Sequence, residues 1–221
     1  MNPRETLIME RLGAVVLCGG QSRRMGRPKA WLPIDDEVFL QRVVRQVSAR
    51  ASLVIVAAAQ GQDLPALPPE VEHVFDLEPD RGPLQGLALG MQALVGRVHW
   101  GFACATDTPL LRPEWIDRLL DFTSEDVDLI LPHLEERDQP LAALYRPKVA
   151  AAAAADLLAS GQTKLGLICN RLRTRTIGAE ILAAVDPDFW TLRNMNSLSD
   201  YNELLSFHSL TEPSPIRPSK H

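Results

Sequence analysis

An apolar run that breaks abruptly into a glycine-rich, cationic turn constrains this chain more than any other feature of its sequence. Residues 14–18 are apolar and predict a short buried strand, and the turn begins at Gly19 and Gly20. Glycines allow the backbone to approach a ligand closely and to turn its N–H groups toward phosphate oxygens. The turn also carries a cluster of cationic side chains, namely Arg23, Arg24, Arg27 and Lys29. These features together predict a strand that ends in a polyphosphate-binding loop.

The spacing within the turn excludes two common phosphate-binding motifs. Lys29 does not directly follow Gly26, so the P-loop pattern is absent, and the dinucleotide pattern G-x-G-x-x-G is absent as well. A solvated loop without a ligand is the competing interpretation of a turn rich in glycine and arginine. The length of the pattern favours the binding loop.

Short apolar runs alternate with helical patterns along the rest of the chain. The apolar runs predict strands at residues 53–57, 71–76, 100–105, 128–132 and 139–145. Apolar residues at helical spacing predict helices at residues 39–47, 84–95, 113–123, 149–160 and 164–172. Because such alternation builds right-handed βαβ units, we expect a Rossmann-like three-layer α/β/α fold with a mostly parallel sheet. One domain at 13–208 would lie between a polar lead-in at 1–12 and a flexible C-terminal tail at 209–221.

An acidic residue, Asp107, comes directly after the predicted strand at 100–105. Thr106, Thr108 and Pro109 surround it and would hold the turn. Open α/β sheets bind ligands at the carboxyl ends of their strands, and Mg²⁺ prefers one or two carboxylates together with substrate phosphates. Asp107 is therefore a candidate metal ligand, and a simple cap at the strand end is the alternative.

Three further segments carry polar groups that could face a ligand. Asp76 ends the predicted strand at 71–76, and Gly82 and Pro83 open the next helix, whose N-terminal amides can face an anion or merely complete a turn. Asn194 and Asn196 offer amide donors and acceptors. The competing interpretation of this last segment is that Ser197 or Ser199 caps a helix that begins at Asp200.

Several of these motifs resemble those of one family. Residues 17–29 resemble the signature L-A-G-G-x-S-x-R-M-G-x-D-K of the molybdenum cofactor guanylyltransferases, with Cys18 in place of alanine and Pro28 in place of aspartate. Residues 107–109 match the family's D-T-P motif, residues 82–86 resemble G-P-L-A-G, and residues 194–200 resemble N-x-N-T-P-E-D. The resemblance covers residues 13 to about 205 and implies the nucleotide-diphospho-sugar transferase fold.

The resemblance also implies a reaction and its residues. The family transfers GMP from GTP to the terminal phosphate of molybdopterin, with or without bound molybdenum, and produces molybdopterin guanine dinucleotide and pyrophosphate. By this resemblance Asp107 holds Mg²⁺, Lys29 and Arg24 stabilise the leaving pyrophosphate, and Asn194 and Asn196 face the pterin. The implied nucleotide-binding residues are Leu17, Cys18, Gly19, Gly20, Lys29, Asp76 and Asp107.

Two other functions stay open. A cytidylyltransferase or sugar-1-phosphate nucleotidyltransferase on the same fold is favoured by Pro28 and by the alanines at 57–59, where the family usually has a nucleotide-binding asparagine. That contact is then missing or comes from Gln60 or another residue. A nucleotide-binding protein without catalysis is the third possibility.

Composition limits the partners of the chain. Its 221 residues carry a formal net charge of −5, which argues against a nonspecific binder of nucleic acid or membrane surfaces. No apolar run is long enough to span a bilayer. The three cysteines form no C-x-x-C pair, so we expect reduced thiols in a cytoplasmic protein. The expected partners are GTP, molybdopterin and molybdoenzyme-delivery proteins, and we expect a monomer or a weak homo-oligomer.

Two charged segments have no assigned ligand. The loop at 133–139 is predicted to be solvated. Arg171, Arg173 and Arg175 form a basic stripe at the end of the predicted helix at 164–172. The stripe could contact an anionic substrate or belong to a solvated helix end.

Overall fold

A computed structural model describes residues 12–19, 28–76, 81–197 and 199–203 of the chain. The strands are β1 (Leu12–Cys18), β2 (Pro33–Ile34), β3 (Glu37–Val38), β4 (Leu53–Ala59), β5 (Glu72–Asp76), β6 (Trp100–Ala105), β7 (Leu129–Leu134), β8 (Arg137–Asp138), β9 (Ala142–Tyr145) and β10 (Thr174–Gly178). The α-helices are α1 (Phe39–Ser48), α2 (Gly82–Leu94), α3 (Pro113–Leu120), α4 (Pro147–Ala159) and α5 (Ala179–Leu182). Short 3₁₀ helices span Lys29–Trp31, Leu165–Arg171 and Trp190–Leu192.

The main sheet places β1 near its centre. Its strand order is β10-β7-β9-β6-β1-β4-β5, with β8 paired to β7, while β2 and β3 form a separate hairpin. The pairs β1–β4, β1–β6, β4–β5 and β7–β10 are parallel, and β9 runs antiparallel to both β6 and β7. The predicted mostly parallel α/β sheet is confirmed. The carboxyl ends of β4, β1 and β6 therefore meet at one edge of the sheet.

Helices cover both faces of the sheet, which is why β1 is apolar throughout and completely buried. One face packs against α1 and α3 through bulky side chains such as Leu40, Phe102 and Trp115. The other face packs against α2 and α4 through residues such as Leu87, Met91 and Ala154. The three-layer architecture follows from these two apolar clusters.

Helix α2 contains three glycines, and two of them, Gly86 and Gly90, face β1 at close range. A Cβ atom built on Gly90 would come within 2.2 Å of Cγ1 of Val15, and one built on Gly86 within 3.4 Å of Cγ of Leu17. The alanine-rich α4 packs beside α2 with Ala150, Ala151 and Ala154 buried. Small residues thus determine how closely this helical layer approaches the sheet.

The structure corrects two of the sequence predictions. The segment predicted as a helix at 164–172 is a 3₁₀ helix, in which Leu165 and Ile168 are both buried at the three-residue spacing of that geometry. The segment at 133–139 is exposed at residues 135–138, as predicted, but it is a hairpin of β7 and β8 and not a loop, and His133 pairs with Asp138 in it. Its charge content resembles that of a loop, but cross-strand pairing orders it.

The basic stripe at 171–175 also has a structural role. The Arg173 guanidinium binds the buried Asp128 carboxylate at 2.7 Å and holds the pKa of that carboxyl below its usual range. Arg175 donates a hydrogen bond to the carbonyl oxygen of Phe122. These contacts attach β10, a strand that the sequence did not predict, to the segment before β7.

Several predicted features lie outside the described residues. They include Gly20, Arg24, residues 1–11 of the lead-in and the whole tail at 209–221. Within the ranges that are described, no helix has the length and apolarity needed to cross a membrane.

Candidate active site

Two predicted site residues meet at the carboxyl edge of the sheet. Asp107 follows β6, Lys29 follows the glycine-rich turn after β1, and these two strands are parallel neighbours. The Lys29 Nζ atom lies 2.7 Å from Oδ2 of Asp107, although the residues are 78 positions apart. The sheet pairing is therefore what joins the two motifs.

Asn196 completes this cluster from the C-terminal part of the chain. Its Oδ1 atom accepts a hydrogen bond from Lys29 Nζ at 2.7 Å. The backbone N–H of Met195 donates to the carbonyl oxygen of Asp107 at 2.9 Å, and the Met195 side chain is buried. The segment is thus attached to the turn that carries Asp107. We call Lys29, Asp107 and Asn196 the edge cluster.

Reciprocal hydrogen bonds fix the backbone next to Asn196. Oδ2 of Asp200 accepts from the backbone N–H groups of Asn196 and Ser197, and Ser197 Oγ accepts from the backbone N–H of Asp200. The hydrogen bond from the Asn196 backbone is the main cause that lowers the pKa of the Asp200 carboxyl, and bonds from Ser197 add to it. The predicted serine cap is confirmed for Ser197, and the same cap orients the segment that bears Asn196.

Threonines hold the backbone beneath the edge cluster. The backbone N–H and the Oγ1 hydroxyl of Thr106 both donate to the carbonyl oxygen of Leu17, at 3.0 and 3.1 Å. Thr108 Oγ1 donates to the carbonyl oxygen of Ala105 at 2.9 Å. The ends of β1 and β6 are thereby locked together where the glycine-rich turn begins.

The donor set suits a cation that takes few protein ligands. Oδ1 of Asp107 has no hydrogen-bond partner among the described residues, and the Asp107 side chain is 20 % exposed. The described part of the chain contains no group of three or more His, Cys, Asp or Glu side chains that could enclose a metal ion. A single accessible carboxylate fits Mg²⁺, which keeps several waters and takes oxygens from substrate phosphates.

The other side of β1 carries a polar contact that the sequence did not predict. Gln62 folds back so that its Oε1 accepts from the backbone N–H of Ala59 at 3.2 Å, and its Nε2 donates to Sγ of Cys18 at 3.4 Å. Burial raises the pKa of the Cys18 thiol. Gln60, the residue expected as one source of the missing asparagine contact, donates its backbone N–H to the carbonyl oxygen of Asp76. The only sequence signal for Gln62 is a polar loop after a strand that ends in alanines.

The remaining predicted residues occupy the same edge or its border. Gly19 is exposed, and a Cβ atom there would meet no atom of the described residues within 4 Å. Asp76 ends β5, which is separated from β1 by β4 alone. Asn194 lines a surface pocket, together with Trp190, Arg193, Met195, Asp200 and Glu203. The Arg193 guanidinium stacks 4.1 Å above the Trp190 ring.

Known proteins resemble this chain in sequence. Residues 14–174 match the model of the MobA-like NTP transferase domain. A Mycobacterium marinum protein named "Probable molybdenum cofactor guanylyltransferase" is 35% identical over 211 residues, which cover 94% of both chains. A Mycobacterium avium protein of the same name is 33% identical over 197 residues, which cover 87% of this chain and 94% of the relative.

Solved structures share the fold at lower identity. Molybdopterin-guanine dinucleotide biosynthesis protein A from Archaeoglobus fulgidus superposes with a TM-score of 0.75 at 19% identity, over 90% of this chain and 100% of that one. The 4-diphosphocytidyl-2C-methyl-D-erythritol synthase from Anaerococcus prevotii superposes with a TM-score of 0.66 at 9% identity, over 92% and 98%. The predicted nucleotide-diphospho-sugar transferase fold is confirmed. The family match over most of the sequence then decides among the proteins that share this fold: the chain belongs to the molybdenum cofactor guanylyltransferase family, whose domain is MobA-like.

Proposed function

We propose that this chain is a Mg²⁺-dependent guanylyltransferase that transfers GMP from GTP to the terminal phosphate of molybdopterin. The products are molybdopterin guanine dinucleotide and pyrophosphate. The observation that carries the proposal is the edge cluster, in which an amine, a carboxylate and an amide from three distant segments meet at the carboxyl edge of the sheet. The names of the relatives support the choice of substrates.

Charge neutralisation and positioning account for this chemistry. An oxygen of the acceptor phosphate attacks the α-phosphorus of GTP, the bond from that phosphorus to the bridging oxygen breaks, and pyrophosphate leaves with the electron pair. Lys29 would donate hydrogen bonds to the oxygens of the leaving pyrophosphate. Its contacts with Asp107 and Asn196 hold the Lys29 ammonium group at the carboxyl edge of the sheet. Arg24 would be a second cation beside the pyrophosphate, an assignment that comes only from the sequence motif.

Asp107 would hold the metal ion through the oxygen that Lys29 leaves unoccupied. When bound, Mg²⁺ would neutralise charge on the triphosphate. The backbone at Leu17, Cys18, Gly19 and Gly20 would cradle the nucleotide, and Asp76 would bind its sugar or base. Asn194 would contact the pterin from the surface pocket that it lines. Asn196 would lie between the pterin and the phosphates, because its amide oxygen contacts Lys29.

The further partners are also proposals. Molybdoenzyme-delivery proteins would receive the product. Two further expectations stay predictions from the sequence: a monomeric or weakly homo-oligomeric state, and a cytoplasmic location.

The test is product formation with each nucleotide in turn. The purified chain is incubated with Mg²⁺, molybdopterin and GTP, CTP, UTP or ATP, and both pyrophosphate and the nucleotide-linked pterin are measured. We expect product with GTP and little with the other nucleotides. Product from CTP alone would identify a cytidylyltransferase, and GTP binding without product would identify a protein that binds nucleotides without catalysis.

A substitution of Lys29 tests whether turnover depends on the edge cluster. In Lys29→Ala we expect turnover to fall by about 100-fold or more, because a donor to the developing charge is lost. Lys148→Ala, which removes an exposed lysine on α4, is the matched control and should keep wild-type turnover. A folded Lys29→Ala protein with undiminished turnover would refute this role.

A further inference from the structure

Gln62 holds the junction of β1 and β4 with only part of its hydrogen-bonding capacity. A carboxamide offers two N–H donors and two carbonyl lone pairs. Cys18 Sγ accepts from one N–H, and the backbone N–H of Ala59 donates to one lone pair. Within the described residues one N–H and one lone pair therefore remain for a ligand. The side chain is half-buried, so a ligand could reach these groups.

The orientation of this carboxamide is fixed by its neighbours. The backbone N–H of Ala59 can only donate, so the carbonyl oxygen of Gln62 must face it and the amino group must face the thiol. A flipped amide would put an N–H against an N–H. Gln62 consequently presents its remaining donor and acceptor in one fixed order.

Gln62 lies at the carboxyl edge of the sheet, where β1 ends. Its partner Cys18 is the last residue of β1, and Gly19, which follows it, is exposed. β4 ends in alanines at 57–59, and their side chains carry no hydrogen-bonding group. Gln62 therefore supplies a side-chain donor and acceptor where β4 itself has none.

We propose that the Gln62 carboxamide reads the base of the bound nucleoside triphosphate and makes Gln62 a specificity-determining residue. This inference rests on the proposed function, because it assumes that the triphosphate lies over the glycine-rich turn. On its pairing edge guanine presents a carbonyl acceptor followed by a ring N–H donor. Cytosine presents the reverse order, an amino donor followed by a ring nitrogen acceptor. A carboxamide with a fixed order of donor and acceptor can therefore favour one base over the other.

The test compares ligands with and without a base. Calorimetric titrations of the full chain with GTP, CTP and inorganic tripolyphosphate, each with Mg²⁺, are made on the wild type and on Gln62→Leu. We expect Gln62→Leu to weaken GTP binding about tenfold, the equivalent of one lost buried hydrogen bond with its partner left unpaired. Tripolyphosphate binding should be unchanged, and the ratio of GTP to CTP affinity should fall.

Three further variants keep the test decisive. Gln62→Glu retains an acceptor for the Ala59 N–H but no donor, and it should also lose GTP affinity, even if Gln62→Leu does not fold. Cys18→Ala removes the thiol and leaves the carboxamide in place, so the GTP to CTP ratio should change less than in Gln62→Leu. Gln92→Leu, at an exposed position on α2, is the matched control and should bind all ligands as the wild type does.

The outcomes distinguish this inference from the proposed function. Equal losses of GTP and tripolyphosphate binding in Gln62→Leu would show that Gln62 only braces the turn, and an unchanged GTP to CTP ratio would likewise overturn base reading. A wild-type chain that binds GTP and CTP equally would contradict the proposed guanylyl transfer itself.

Discussion

The carboxyl end of β1 and the α2-facing side of the same strand are built from opposite kinds of contact. At the carboxyl end, the edge cluster consists of partly exposed polar groups from distant segments. On the α2-facing side, Val15 and Leu17 are buried against Gly90 and Gly86. A partly exposed ion pair contributes about 0–1 kcal/mol to stability, whereas overpacking a core contact costs about 1–3 kcal/mol. The edge should therefore govern turnover, and the α2 contact should govern stability.

The largest effect is expected at the edge, for Asp107→Asn. Turnover with GTP and Mg²⁺ should fall at least about 100-fold, because an amide is a poor ligand for the metal and no longer carries the charge that pairs with Lys29. The free energy of unfolding in urea should change by less than about 1 kcal/mol. Asp156→Asn, at an exposed position on α4, is the control and should change neither quantity. A large loss of stability in Asp107→Asn would break the contrast between the two regions.

The next effect is expected on the α2-facing side, for Gly90→Ala. The added methyl group would lie within 2.2 Å of Val15 Cγ1, so the helix or the strand must shift. Urea unfolding should show a loss of about 1–3 kcal/mol, while the folded fraction keeps its turnover. Gly166→Ala is the matched control, since no atom of the described part of the chain lies within 4 Å of its added methyl group. Equal stability in the two variants would show that the close approach of α2 is not required.

The smallest effect is expected for Asn196→Ala. Losing the hydrogen bond to Lys29 Nζ should reduce turnover about tenfold, which is the lower end of the cost of one hydrogen bond to a charged group. In a Lys29→Ala background the same substitution should have little further effect, because its partner is already gone. Steady-state kinetics of the double-mutant cycle measure this coupling, with the exposed Asn170→Ala as the control. Additive losses of turnover in the cycle would show that Asn196 and Lys29 act independently of each other.

The same contrast explains which parts could be predicted from the sequence. β1 and α1 were predictable because their apolar spacing follows from burial on a strand or on one side of a helix. Asp107 was predictable because it directly follows such a strand. β10 was not, since its short, mostly polar sequence Thr-Arg-Thr-Ile-Gly has a single buried apolar residue, and it forms a strand by pairing with β7 beside the ion pair of Arg173 with Asp128.

The contacts between distant segments were the least predictable part of the site. The sequence indicated that Lys29 and Asp107 serve one ligand, but the pairing of β1 with β6 was needed to bring them within 2.7 Å. Asn196 was expected on the pterin side, and only the backbone bond from Met195 to Asp107 shows why its side chain reaches Lys29. The contact of Gln62 with Cys18 was not predictable, because it depends on how the loop after β4 folds back.

The central claim is that the edge cluster binds one triphosphate together with its divalent ion. The most direct measurement is an anomalous-difference map from crystals of the chain grown with Mn²⁺ and a GTP analogue whose α–β bridge is a methylene group. The account predicts a metal peak within coordination distance of an Asp107 carboxylate oxygen and of the triphosphate, with Lys29 Nζ within hydrogen-bond distance of the β- or γ-phosphate. A triphosphate and metal bound away from both Asp107 and Lys29 would contradict it.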